Sequence, residues 1–199
     1  DDIYTNMPPP KPSNKVNEVK ISKQEFTTMF NNVAGGCFHP SSQVLMVGNH
    51  FKSIYNIIKG DKLIDSKGNI NTVLCVIKIN GNNIKLIDIE GLLITPYHPI
   101  KFNNEWVFPK DISNIESNCN SVYNLVLNNN HTIVINNSIT CTLGHNITEN
   151  EVITHEYFGT DKVINDLKQI EGFDQGYIEL NNNCFVKDPV KNIITQIKK

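Results

Sequence analysis

Residues 35 to 37 read Gly-Gly-Cys, and a cysteine placed behind two glycines can do chemistry on its own backbone. A thiolate is the active nucleophile, yet an ordinary cysteine with a pKa of about 8.5 is only a few per cent ionised near neutrality, so Cys37 needs a base or a poised geometry. Gly36 has no Cβ, so the Gly36–Cys37 bond can take backbone angles closed to other residues, and the thiol can approach the carbonyl before it. The alternative is a buried cysteine that opens a strand after a glycine helix stop, a common arrangement. In "TPYHP", residues 95–99, two prolines fix where the side chains between them point. There the Thr95 hydroxyl or amide could orient a carbonyl while the His98 imidazole donates a proton to a departing amine. The same residues also fit a structural histidine and a threonine turn. Near "LGHN", the Asn146 side chain can attack its own main-chain carbonyl, form a cyclic imide and release Ile147. That step needs His145 to protonate the leaving amine and a base such as His131. Thirty asparagines are spread along the chain, so no single one weighs much alone, and His131 could equally cap the "NNN" turn before it.

The elements that must position these groups are legible in outline. "MPPPKPSNK" suits an extended linker. In "ISKQEFTTMFNNVAGG", Ser22 and Glu25 have capping-box spacing, Ile21 and Phe26 staple spacing, and Phe26, Met29, Phe30 and Val33 make one apolar face. A helix that stops at Gly35 or Gly36 is expected, delivering the chain to Cys37. From Cys37 to about Leu143 the runs "QVLMV", "NTVLCVIKI", "IKLIDI", "GLLIT", "VYNLVL", "HTIVI" and "SITCTL" read as strands, with turns at "KGD", "SKGN", "NGNN" and "NNN". After residue 147 the pattern changes, and "DKVINDLKQIEG" puts Val163, Ile164, Leu167 and Ile170 on one helical face. Three regions follow: 1–36, linker plus helix; 37–146, a mainly antiparallel β domain; and 147–199, a small α/β extension.

Composition bounds the rest. A chain of 199 residues with 39% apolar and 19% charged residues reads as one main globular domain with appendages. No apolar run nears the roughly 18 residues needed to cross a bilayer. The net charge of -2 gives no general reason to expect a nucleic-acid partner. The five cysteines, at 37, 75, 119, 141 and 184, are odd in number and lack CxxC spacing, so neither a disulfide framework nor a metal site is indicated, and no cofactor. A reducing, intracellular setting suits them best.

Together, in order along the chain, these pieces resemble the Hint domain shared by hedgehog autoprocessing domains and inteins. "CFHPSSQVLM" is similar to its first block, "KGDKLI" to its Gly-Asp turn, "LLITPYHPI" to its second block, and "VYNLVLNNNHTIVINN" with "LGHN" to its terminal blocks. The run of "TPYHPI", "EWVFP", "YNLVL", "TLGHN" and "HEYFGT" is most like the Hint variant attached to von Willebrand factor A domains, called Vint. The resemblance implies a compact, twisted antiparallel β horseshoe with a pseudo-two-fold, and a self-processing activity resembling autoproteolysis or protein splicing. It implies that Cys37 attacks the Gly36 carbonyl to form a thioester while Thr95 and His98 hold and protonate that bond. The substrate would be the chain's own flanking polypeptide, and the thioester would pass to water, a small nucleophile or a protein acceptor. Segment 1–36 would then be the tail of an upstream domain.

Two departures matter. Inteins place Cys, Ser or Thr after the terminal Asn, whereas this chain has Ile147, so transfer to a downstream side chain is not expected. Asn124 stands in "VYNL" where many inteins carry Asp, which removes a carboxylate that would tune Cys37. Cleavage at Gly36–Cys37 is the first expectation and cleavage after Asn146 the second. The same departures keep a retired Hint scaffold, serving as an interaction module, as the alternative. A cysteine hydrolase acting in trans through Cys37 with His98 or His131 is a third reading, disfavoured because Gly-Gly-Cys turns the nucleophile toward its own chain.

Overall fold

The structure is a computed structural model that describes residues 36–199. The linker and helix expected before Gly36 lie outside the described residues. Thirteen strands dominate those residues: β1 (Gln43–Met46), β2 (His50–Ser53), β3 (Lys62–Ile64), β4 (Ile70–Ile89), β5 (Leu92–Ile94), β6 (Ile100–Phe102), β7 (Glu105–Val107), β8 (Glu116–Leu127), β9 (Thr132–Ile135), β10 (Ser138–Cys141), β11 (Tyr177–Asn181), β12 (Phe185–Lys187) and β13 (Ile194–Ile197). Two short α-helices accompany them, α1 (Pro109–Ile112) and α2 (Asp161–Lys168). The expected strand runs all form, so the chain is mainly β with antiparallel pairing throughout, except where β11 lies parallel to β4. No helix among the described residues is long and apolar enough to cross a membrane.

One expectation changes. "NGNN" does not break "NTVLCVIKI" from "IKLIDI"; both belong to the 20-residue strand β4. The β4–β8 register runs from Val73 opposite Leu127 to Ile87 opposite Glu116, and it shifts between Asn80 and Ile84 instead of ending. The turn-rich residues are thus a bulge, with Asn83 at a φ of 56° that asparagine tolerates.

A second register shift, between Val73 and Cys75, reverses which side of β4 the following residues face. As a result β4 serves two cores. Val73 and Val76 join Phe38, Val44, Ile94, Leu125 and Ile133 on one side. Cys75, Ile77 and Ile79 join Cys37, Val122 and Val126 on the other, together with Tyr157, Val163, Leu167, Ile178 and Leu180 from the C-terminal segment. Segment 147–199 therefore completes a core that contains Cys37. Helix α2 enters it through Val163 and Leu167, each side chain worth about 1.5–3 kcal/mol when buried. Thr160 caps its first turn by accepting from the Lys162 amide, and Asp166 ties it to Tyr157 Oη at 2.8 Å and to the Ile197 amide at 3.2 Å.

Candidate functional site

Cys37 is placed by the residue that follows it. Phe38, fully buried, exchanges two 2.9 Å main-chain hydrogen bonds with Tyr123 of β8 and bridges to Ile94 of β5. The chain at 37–39 is thereby inserted between β5 and β8, and Cys37 sits at 1% exposure. Burial drives its thiol well above the ordinary cysteine range, with the neighbouring Cys119 adding to the shift, so the resting group is the thiol and not the thiolate.

Strand β5 runs straight into Thr95, and the His98 amide donates to the Thr95 carbonyl at 3.1 Å to close the proline-bracketed turn. Both Thr95 and His98 are buried. Thr95 grips Cys37 three ways. Its Oγ1 accepts from the Cys37 amide at 2.9 Å, its hydroxyl donates to the Cys37 carbonyl at 3.3 Å, and its own amide donates to that carbonyl at 3.0 Å.

Nε2 of His98 lies 2.7 Å from the Cys141 carbonyl. A carbonyl only accepts, so this contact assigns the proton to Nε2 and leaves a lone pair on Nδ1. That Nδ1 is buried and makes no hydrogen bond within the described residues. It lies against Gly36: a Cβ there would stand 2.7 Å from Cγ and 2.9 Å from Nδ1 of the ring. Glycine is therefore required at this position by space. Burial lowers the His98 pKa to about 4, opposed by the Cys141 carbonyl and the Cys37 main chain and helped by His145.

Asn124, in the middle of β8, is 2% exposed. Its Oδ1 accepts from the Leu125 amide at 2.7 Å, and its Nδ2 donates to the Gly36 carbonyl oxygen. By residue type Asn124 is a missing carboxylate; the structure puts an amide donor on the carbonyl of the candidate bond. Its position in "VYNL" was visible, but the atom it faces was not.

The second candidate bond is built differently. Asn146 is exposed, at a φ of 55°, and its amide donates to the Gly159 carbonyl at 2.8 Å. Its side-chain Nδ2 donates to Asp161 Oδ1 at 2.9 Å, and the Ile147 amide donates to His145 Nδ1 at 3.0 Å. Half-buried His145 is lowered to about 4 by burial and by His131, and His131 is lowered by burial against the pull of Asp161. Nδ1 of His131 is buried without a hydrogen-bond partner among the described residues, while its carbonyl accepts from the Thr142 amide at 2.7 Å. Asp161 and His155 escaped the sequence reading. His155 accepts from the Tyr157 and Phe158 amides, 3.1 and 3.0 Å away, and burial lowers it to about 4. Its place in "HEYFGT" was the available signal.

A cavity of about 250 Å³ gathers Gly36, Thr95, His98, Asn124 and His145, with His155 on its wall. His131 and Asn146 do not line it. Among the described residues no group of three His, Cys, Asp or Glu side chains is arranged to hold a metal ion.

A family model described as Vint, a Hint-domain, matches residues 36–196. Three solved structures are similar to part of the chain. A bacterial intein-like domain from Clostridium thermocellum is 18% identical with a TM-score of 0.44, covering 53% of this chain and 97% of its own. The gp41-1 intein is 18% identical with a TM-score of 0.42, covering 54% and 99%. A DnaB intein from Synechocystis sp. PCC 6803 is 13% identical with a TM-score of 0.44, covering 54% and 98%. No curated protein matches the chain. With the family model spanning most of the chain, both sides of β4 and the segment beyond Asn146 included, this protein belongs to the Vint family of Hint domains.

Proposed function

We propose that this domain cuts its own backbone at Gly36–Cys37 through a thioester. The observation that carries the reading is the grip on the amide of that bond: Thr95 Oγ1 holds the Cys37 N–H at 2.9 Å while the unpartnered Nδ1 of His98 lies against Gly36. Sγ of Cys37 adds to the Gly36 carbonyl carbon, the C–N bond to Cys37 breaks, and a thioester and a free Cys37 amine result. A neutral His98 with a lone pair on Nδ1 suits the proton transfer, taking the thiol proton and returning it to the departing nitrogen. Burial lowers its pKa to about 4, which keeps it in that form at neutral pH, and burial likewise keeps the Cys37 thiol protonated until the proton moves. An added nucleophile then exchanges onto the acyl group and releases residues 1–36.

Intact mass spectrometry with and without dithiothreitol tests this. Wild type is expected to lose residues 1–36 faster with the thiol, and Cys37→Ala to keep its full mass. An unchanged wild-type mass in all conditions would instead favour the retired scaffold.

Cleavage after Asn146 is a second reading, favoured by the 3.0 Å contact between His145 Nδ1 and the Ile147 amide, the nitrogen that would leave. Its product is a chain cut between Asn146 and Ile147 with a C-terminal cyclic imide, detectable as two fragments in denaturant.

A further inference from the structure

We infer that Asn124 is a catalytic residue of the Gly36–Cys37 step, its side-chain amide stabilising the oxyanion that forms on Gly36 O. This rests on the acyl-shift reading above and adds the group that reading lacks, a donor aimed at the carbonyl rather than at the amide.

The orientation of the Asn124 side chain is fixed by chemistry. Oδ1 receives the Leu125 N–H at 2.7 Å, and Nδ2 donates to Gly36 O. Turning the amide over would set Oδ1 against the carbonyl oxygen and an N–H against the Leu125 N–H, two repulsive contacts in a buried site. One N–H of the amide therefore points at the reacting oxygen. Its support is rigid: Val122, Leu125 and Val126 around it are fully buried, and Asn124 pairs with Ile77 on β4. A donor held in place before the reaction needs no reorganisation as charge develops, which is where such groups gain most. As Sγ adds to the carbonyl carbon, electrons move onto Gly36 O and the N–H contact strengthens. When the C–N bond breaks, the carbonyl reforms. The proton moves from thiol to leaving nitrogen by way of His98, and Asn124 neither gains nor loses one.

The residue type follows from this role. An ionised Asp here would offer only lone pairs to an oxygen that is becoming negative. The asparagine is then not a lost carboxylate but a donor that works without having to be protonated.

The test measures dithiothreitol-induced release of residues 1–36 by intact mass on the full chain. Asn124→Ala is expected to slow release by about 10²- to 10³-fold. Asn124→Asp has nearly the same shape, so it keeps the test decisive where the alanine variant does not fold. Its rate relative to wild type is expected to be low near pH 8 and to climb as pH falls toward 5, because only the protonated carboxyl has an O–H to donate. Other titratable groups lining the cavity are His98, His145, His155, Lys85, Tyr97 and Cys141, and the thiols of Cys37 and Cys119 lie near one another in the adjoining protein. The three histidines are held at about 4 and the three thiols are raised, so taking the ratio to wild type at each pH removes their common effect. A flat ratio overturns the inference, and so does a ratio that only follows the melting temperature of Asn124→Asp across the same pH range, the mark of a merely structural role. So does an Asn124→Ala chain that releases as fast as wild type. A wild type that dithiothreitol cannot cleave, by contrast, removes the acyl-shift reading itself and this inference with it.

Discussion

Gly36–Cys37 is enclosed in the body, while Asn146–Ile147 lies on its rim. At the first bond, side chains from strand β8 and a rigid turn contact both ends of the peptide unit, Thr95 on the nitrogen and Asn124 on the oxygen. At the second, the Asn146 side chain reaches outward to Asp161 on the exposed start of α2, and only His145 engages the nitrogen that would leave. The same few residue types thus make two different environments. Hydrogen bonds in a dry, fixed site act on developing charge far more strongly than those shared with water. The chain after Asn146 begins with Ile147 packed beside Trp106 and Ile153 and goes on to supply β11. The comparison teaches that a cut after Asn146 would leave its two pieces held together by packing.

The largest effects should fall on the enclosed bond. His98→Ala is expected to slow thiol-induced release of residues 1–36 by about 10²- to 10⁴-fold while leaving any cut after Asn146 unchanged, and His145→Ala to do the reverse. Equal effects of both variants on both bonds, read by intact mass, would break the comparison. Next comes Gly36→Ala. A methyl 2.7 Å from the buried His98 ring must displace it, and release is expected to drop about 10²-fold or more, with a lower melting temperature from the crowding. On the rim side, a chain cut after Asn146 should elute from size exclusion as one species in native buffer and as two in denaturant; separation in native buffer would mean that segment 147–199 does not hold.

A pH effect sharpens the contrast further. His98, His145 and His155 are held at about 4 against an ordinary 6.5, chiefly by burial. Between those values the unfolded chain binds protons that the folded chain refuses, so stability is complete above about 6.5 and falls as pH drops toward 4. Calorimetric melting temperatures should decline over that window, and His98→Gln should flatten part of the decline. The smallest expected change is Asp161→Ala. It removes an exposed hydrogen bond to Asn146 and a first-turn charge on α2, and urea unfolding should register a loss of about 1 kcal/mol or less.

Much of the enclosed site was readable in the chain. Cys37, Thr95 and His98 stand out because each combines a reactive or polar group with glycine or proline punctuation, and the strands around them follow from apolar runs and turn residues. What could not be read depends on contacts made at a distance. Asn124 looked like a deficit because a sequence gives the residue type but not the atom it faces, and its partner, Gly36, lies far along the chain. "NGNN" looked like a turn because its composition matches one, yet pairing with β8 resumes on its far side and outweighs local preference. Asp161 and His155 come from the segment whose helix was foreseen but whose packing against the β body was not.

The parallel pairing of β11 with β4 carries a consequence for timing. Strand β4 ends at Ile89, but its neighbour does not begin until Tyr177, so one flank of the chamber around Cys37 stays open until that stretch has left the ribosome, at about 5–20 residues per second. Everything upstream of Gly36 emerges first and has that interval in which to fold. Adding this late strand along the edge of β4 thus makes the core that holds Cys37 one of the last parts of the domain to close.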